Sequence, residues 1–145
     1  RNPATPFVAH FMGYDNRLEG LVDTLQGDVI AVKAGGLRLH ARWLGSEELK
    51  AGDAVQLLFR SETAVLEDAP SEVNAVPGEV RFASFQGHTV RYLVSTPLGE
   101  IDATVPEGDG RKAVGRSVYV SVPSTDLIAY SSTEELASAP EEEAG

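Results

Sequence analysis

The pattern N-x-[LV]-x-G-x-V occurs twice in this chain, as Asn16-Arg17-Leu18-Glu19-Gly20-Leu21-Val22 and as Asn74-Ala75-Val76-Pro77-Gly78-Glu79-Val80. Three further segments follow it in the same order in both copies. Leu37-Arg38-Leu39-His40-Ala41 corresponds to Gly99-Glu100-Ile101-Asp102-Ala103. Gly52-Asp53-Ala54-Val55-Gln56-Leu57 corresponds to Gly115-Arg116-Ser117-Val118-Tyr119-Val120, and Arg60-Ser61 falls level with Pro123-Ser124. The offsets are 58, 62, 63 and 63, so the order is kept with small insertions between matches. Such self-similarity marks a duplicated structural unit. Each unit supplies a strand opening on the motif, a hairpin and a closing strand. About five strands are marginal alone, whereas two units that share a core can cover each other's edges. The motif glycine is expected to let the strand bend or bulge as a small barrel requires, and the asparagine suits the turn that enters the strand.

From Leu18 to about Ile128 the apolar residues recur with period two. Val80, Phe82 and Ser84 alternate with Arg81, Ala83 and Phe85; Val90, Tyr92 and Val94 alternate with their neighbours; so do Val118, Val120 and Val122. Short alternating runs punctuated by glycine predict half-buried antiparallel strands. Gly35-Gly36 predicts a tight hairpin between Val29–Lys33 and Leu37–Trp43, and Thr96-Pro97-Leu98-Gly99 a second turn. Ser46–Lys50 has room for one helical turn, and no long helix fits after residue 13. Before that point Thr5-Pro6 is a helix start, with Phe7, Val8, Phe11 and Met12 on one face and Gly13 as the stop. The expected organisation is a linker helix at 1–13, a first half at 14–68, a second half at 69–132 and an acidic tail at 133–145. An apolar-faced opening helix without a leader fits a chain cut from something longer. Glu134, Glu135, Glu141, Glu142 and Glu143, with only Leu136 to bury, predict a disordered tail. The fold class read from this pattern is all-β.

Composition narrows function chiefly by exclusion. The 145 residues carry 22 acidic and 12 basic side chains and no cysteine, so disulfides, thiolate metal sites and thiol nucleophiles are absent. A formal charge of −10 with dispersed basic residues disfavours nucleic acid. No apolar run approaches the ~18 residues of a membrane span. His10, His40 and His88 are far apart and lack metal-ligand spacing, and there is neither a G-x-S-x-G nor a phosphate-binding G-x-x-x-x-G-K-[ST]. Trp43, Phe82, Phe85 and Tyr92 could stack a ligand, but core packing is the commoner role. No catalytic, metal-binding or cofactor-binding residue is therefore assigned, and the chain by itself does not read as an enzyme. A small anion requires less: a few backbone N–H groups in a strand-turn nest with one hydroxyl or cation. Ser61 and Ser124 are the candidate hydroxyls, with Arg60, Asn16 and Asn74 as the further candidate ligand-binding residues. The competing reading makes both serines ordinary turn residues.

Thr5-Pro6-Phe7-Val8-Ala9-His10-Phe11-Met12-Gly13-Tyr14-Asp15-Asn16 resembles the P-x-x-x-F-V-A-x-F-x-G-x-x-N segment. In importer-type ABC transporter ATPases that segment joins the nucleotide-binding domain to a C-terminal regulatory domain. Leu58-Phe59-Arg60-Ser61-Glu62-Thr63-Ala64-Val65-Leu66 resembles the v-R-P-E-x-i-x-l segment, with Ser61 in place of proline. Asn74–Val80 followed by Phe85-Gln86-Gly87 resembles N-x-l-x-G-x-V followed by F-x-G. The family is the TOBE (transport-associated OB) domain, similar to the di-repeats of molybdate-binding Mop domains. The resemblance covers about residues 5–130. It implies tandem OB-like small barrels, preceded by the linker helix, at the end of a missing ATPase domain. The implied role is regulation and homodimerisation of the ATP-binding subunit. ATP and Mg would then belong to the parent subunit, permease subunits would be its partners, and it would sit on the cytoplasmic, inner face of the cell membrane. The alternative implied role is sensing of a small ligand such as an oxyanion or another imported solute. The Mop anion motif has Ser-Ala-Arg before the asparagine. Here Gly13-Tyr14-Asp15 stands there, and the charge of Asp15 opposes an anion.

Overall fold

A computed structural model of the chain describes residues 13–45, 48–71 and 73–131. The expected helix at 1–13, save Gly13, and the acidic tail at 133–145 lie outside the described residues. So do Ser46 and Glu47; Glu48–Lys50, the rest of the expected helical turn, are irregular.

The described chain is all-β. The first half forms β1 (Asn16–Gln26), β2 (Val29–Ala34), β3 (Leu37–Trp43), β4 (Ala54–Phe59), a 3-10 turn η1 (Ser61–Thr63) and β5 (Val65–Glu67). The second repeats that order with β6 (Ala75–Gln86), β7 (Thr89–Thr96), β8 (Gly99–Pro106) and β9 (Ser117–Ser121), then η3 (Ser124–Asp126) and β10 (Ile128–Ser131). Among the described residues it also contains η2 (Glu107–Asp109), between β8 and β9. Two-residue turns join β2 to β3 and β7 to β8 where the sequence places them. Gly35 and Gly36 have φ of 53° and 83°, the pair of positive angles that a primed hairpin turn requires.

The sequence halves and the sheets do not coincide. One sheet closes into a barrel in the order β1-β2-β3-β10-β4, so its last member is the final strand of the second half. The other is a five-stranded sheet in the order β5-β9-β6-β7-β8, and its β5 comes from the first half. The halves thus exchange their closing strands. One continuous apolar core runs through both, from Leu18, Val32, Leu57 and Phe59 to Val80, Tyr92, Ile101 and Val120. Val90, Tyr92 and Val94 are buried along β7, as are Val118, Val120 and Val122 in and just after β9, each the inward set of its alternation.

Along β6 the alternation is interrupted, and the reason is local. The β6–β7 register shifts between Val80 and Phe82, a bulge at Arg81 that turns the following side chains over. Val80 is fully buried, whereas Phe82 is 50% exposed and Ala83 packs against the core. Phe85 is 55% exposed and lies under the Arg111 guanidinium, 4.4 Å from its ring centroid. The expectation that Phe82 and Phe85 pack in the core is therefore corrected. Tyr92 is fully buried, and Trp43 is half-buried against the core.

The motif glycines act differently from the sequence expectation. The register shifts fall beyond them, between Val22 and Thr24 in β1 and between Val80 and Phe82 in β6. A Cβ on Gly20 would lie 2.4 Å from Val32 Cγ1 and 2.8 Å from the Lys33 carbonyl oxygen; on Gly78 it would lie 2.6 Å from Val94 Cγ1 and 2.7 Å from the Ser95 oxygen. The glycines are needed for close approach of a neighbouring strand, at repeat-equivalent places.

Candidate functional site

The repeated asparagines fix how the halves meet. Asn16 is buried at the start of β1, and its carboxamide brackets one residue of the other half. Its Oδ1 accepts the Asp102 N–H at 2.8 Å, and its Nδ2 donates to the Asp102 carbonyl at 2.8 Å. Asn74 does the reverse just before β6: its Oδ1 accepts the His40 N–H at 2.7 Å, and its Nδ2 donates to the carbonyls of His40 and Val122, each at 2.9 Å. His40 and Asp102 are equivalent positions of the repeat, so the two clasps are related by an internal pseudo-two-fold. A carboxamide suits this task because it carries a donor and an acceptor side by side, matching the N–H and C=O that one strand residue turns outward. Asn74 holds φ at 57°, the one non-glycine residue with positive φ among those described. Of the candidate ligand-binding residues, these two have their amide groups engaged within the fold.

The other candidates lie around the 3-10 turns, and η1 and η3 confirm the equivalence of Arg60-Ser61 with Pro123-Ser124. Ser61 is buried, and its hydroxyl lies 3.1 Å from that of Thr104 on β8. Its backbone N–H donates to Asp15 Oδ1 at 2.8 Å, so that donor is already engaged by the chain's own carboxylate. Arg60 stacks over the Tyr14 ring, 4.3 Å from its centroid. Ser124 is half-buried at the start of η3, and the neighbouring Thr125 carbonyl accepts from Arg42 Nη1 at 3.1 Å. Ser61 is thus brought to β8 and Ser124 to the end of β3, at equivalent places in the two halves. Sequence reasoning missed Asp15, Asp102 and Thr104 as partners. The alignment of His40 with Asp102 was the signal that could have revealed the clasp.

His40 is half-buried in β3, and His88 is exposed in the β6–β7 turn. Among the described residues no group of three or more His, Cys, Asp or Glu is placed to hold a metal, and no helix is long and apolar enough to cross a membrane. On the β1–β2–β3 surface, a hydrogen bond from Arg38 Nε to Asp23 Oδ2 at 2.8 Å holds the Asp23 carboxyl below the usual carboxylate range, with Lys33 adding to the effect.

The tandem arrangement is that of a known family. The TOBE domain model matches residues 57–129, half of the chain. The chain belongs to the TOBE domain family. It is 35% identical over 98 residues to the spermidine/putrescine import ATP-binding protein PotA of Rubrobacter xylanophilus, a match that covers 67% of this chain and 26% of that protein. The chain therefore spans about a quarter of the length of that curated relative. Among solved structures it is similar to the cytoplasmic molybdate-binding protein ModG in a form with molybdate bound. The TM-score is 0.68 at 18% identity, over 81% of this chain and 96% of that one. That likeness extends the shared fold to almost the whole of ModG.

Proposed function

We propose that this chain is the regulatory and dimerising module of the ATP-binding subunit of an ABC importer. The observation that carries this reading is the 35% identity to an import ATP-binding protein over two-thirds of the chain. In such a subunit ATP and Mg bind in the remaining sequence, which hydrolyses the nucleotide at the inner face of the membrane beside the permease. The exchanged-strand fold then acts as a rigid body that transmits contacts. It suits that role because one core and two carboxamide clasps hold its halves together. Spermidine and putrescine are the first solutes to test, since the relative is named for their import.

Sedimentation velocity on the chain and on the full subunit tests the reading. Self-association of either supports it, and monomers of both at tens of micromolar overturn the dimerising role. ATPase assays on the full subunit with and without this module test regulation, and equal rates under all solute conditions overturn it.

A second reading, sensing of a small anion, is favoured by the fold shared with a molybdate-bound protein and by the Ser61–Thr104 hydroxyl pair. It is opposed by Asp15, whose carboxylate occupies the Ser61 N–H. Calorimetry with molybdate, tungstate and sulfate decides: heat of binding that grows in Asp15→Asn supports it, and silence in both proteins removes it.

A further inference from the structure

The internal symmetry is broken at one seam. In the closed barrel β10 lies parallel to β3, and the backbone bonds that flank their ladder are Arg42 N–H to the Leu127 carbonyl at 2.9 Å and Leu44 N–H to the Ala129 carbonyl at 3.3 Å. The repeat maps these four residues onto Thr104, Ala64, Pro106 and Leu66. Proline has no N–H, so the counterpart of the Leu44 bond cannot form. Among the described residues β5 and β8 are not paired as neighbouring strands, the counterpart of the Arg42 bond, Thr104 N–H to the Ala64 carbonyl, is also not formed, and the second sheet stays open there.

What faces the opening follows from the β7–β8 ladder. Arg91 is opposite Thr104 and Leu93 is opposite Asp102. Successive residues of an antiparallel strand turn their N–H and C=O alternately toward and away from the partner. Asp102 turns both groups away from β7, because Asn16 holds them. Thr104, two residues on, turns its N–H and C=O the same way, into the seam. There they meet a cleft of ≈ 90 Å³ whose wall includes Ala64, Leu66 and Val105, with the buried Tyr92 as floor.

The fold itself shows what satisfies such an edge. Twice a carboxamide brackets a strand residue that presents N–H and C=O together, at Asp102 and at His40. We propose that the β5–β8 seam is a binding site for a carboxamide group, which would bracket Thr104 as Asn16 brackets Asp102. The ligand is a small primary amide or the side-chain amide of an Asn or Gln in a partner protein. Its apolar stem would rest on Tyr92, Val105 and Leu66. The charges nearby favour a neutral group. Glu62 and Asp109, both exposed, stand at the cleft and repel carboxylates, while the Lys112 ammonium lies 3.9 Å from Asp68 and the Lys112 N–H is held by the Tyr92 hydroxyl at 2.9 Å.

The test is an amide-resolved NMR titration of the chain with propanamide and, separately, with N-acetyl-asparagine methylamide. Sodium propanoate and methyl propanoate serve as controls of matched shape. The expected result is saturable shifts at Thr104 and Leu66 with either amide at millimolar concentration. Propanoate and the ester should bind at least tenfold more weakly. Comparable affinity for both amides assigns the site to small amides, and a preference for the asparagine derivative assigns it to a partner's side chain. Pro106→Leu, which restores the missing donor, should close the seam and weaken binding at least tenfold in a folded protein. Thr104→Pro, which removes the N–H at a position where an edge strand tolerates proline, should do the same. Either variant suffices if the other does not fold. Equal shifts with propanoate, no saturable shift with any amide, or undiminished binding in a folded variant would overturn the proposal.

Discussion

At the scale of single residues, Asn16 and Asn74 do the same work under different constraints. Replacing Asn16 with alanine leaves the N–H and C=O of Asp102 without partners in a partly buried interface. Unsatisfied buried groups cost about 1–3 kcal/mol each, so Asn16→Ala should lower unfolding stability by roughly 2–4 kcal/mol. Asn74→Ala removes three bonds and also places a Cβ residue less suited to positive φ at 57°, which adds roughly 1 kcal/mol. Urea denaturation should rank Asn74→Ala below Asn16→Ala. The reverse order would mean that backbone conformation is not part of the second clasp. The sequence showed both asparagines as repeat positions, but assigned them a turn role. It could not show that their amides reach across to the other half, because a side chain's partner 86 residues away leaves no local pattern.

At the scale of elements, the two closing strands differ in support. Among the described residues β10 is paired on both sides, by β4 and β3, whereas β5 is paired only by β9 and has three residues. Amides held by fewer ladders open at lower free energy. Hydrogen exchange should therefore show β5 exchanging faster than β10. Pro106→Leu should slow exchange at Thr104 and narrow the difference. Unchanged exchange in that variant would show that something other than the missing donor keeps the seam open. The strands themselves were legible, since their alternation and glycine punctuation are written locally. The bulge at Arg81 was not, and so Phe82 was assigned to the face of Val80, while Phe85 lies outside the core under the Arg111 guanidinium. A bulge adds one residue to one strand of a pair, and only its partner's register reveals it.

For the whole molecule, strand exchange makes each half incomplete. A fragment of residues 14–68 lacks β10 and so cannot close the first barrel, and it carries β5 with no β9 to pair. Either half expressed alone should be largely unfolded by far-UV circular dichroism, and the two mixed should regain the native signal. A half that folds cooperatively by itself would show that the exchanged strands are dispensable. One core shared by both sheets predicts a single unfolding transition for the full chain, the behaviour expected of a module that moves as one body.

The sequence by itself determined, through its repeated motif, that this protein is duplicated and, through the order of hydrophobic and polar residues, that it is all-β and built on hairpins. The strands depend on which face is buried, and period two records that directly. Which sheet each closing strand joins, which backbone edge each asparagine clasps and which seam stays open were decided only by tertiary structure. Strand edges are made of backbone groups that nearly every residue shares, so the sequence marks an edge only where, as at Pro106, a residue lacks the group.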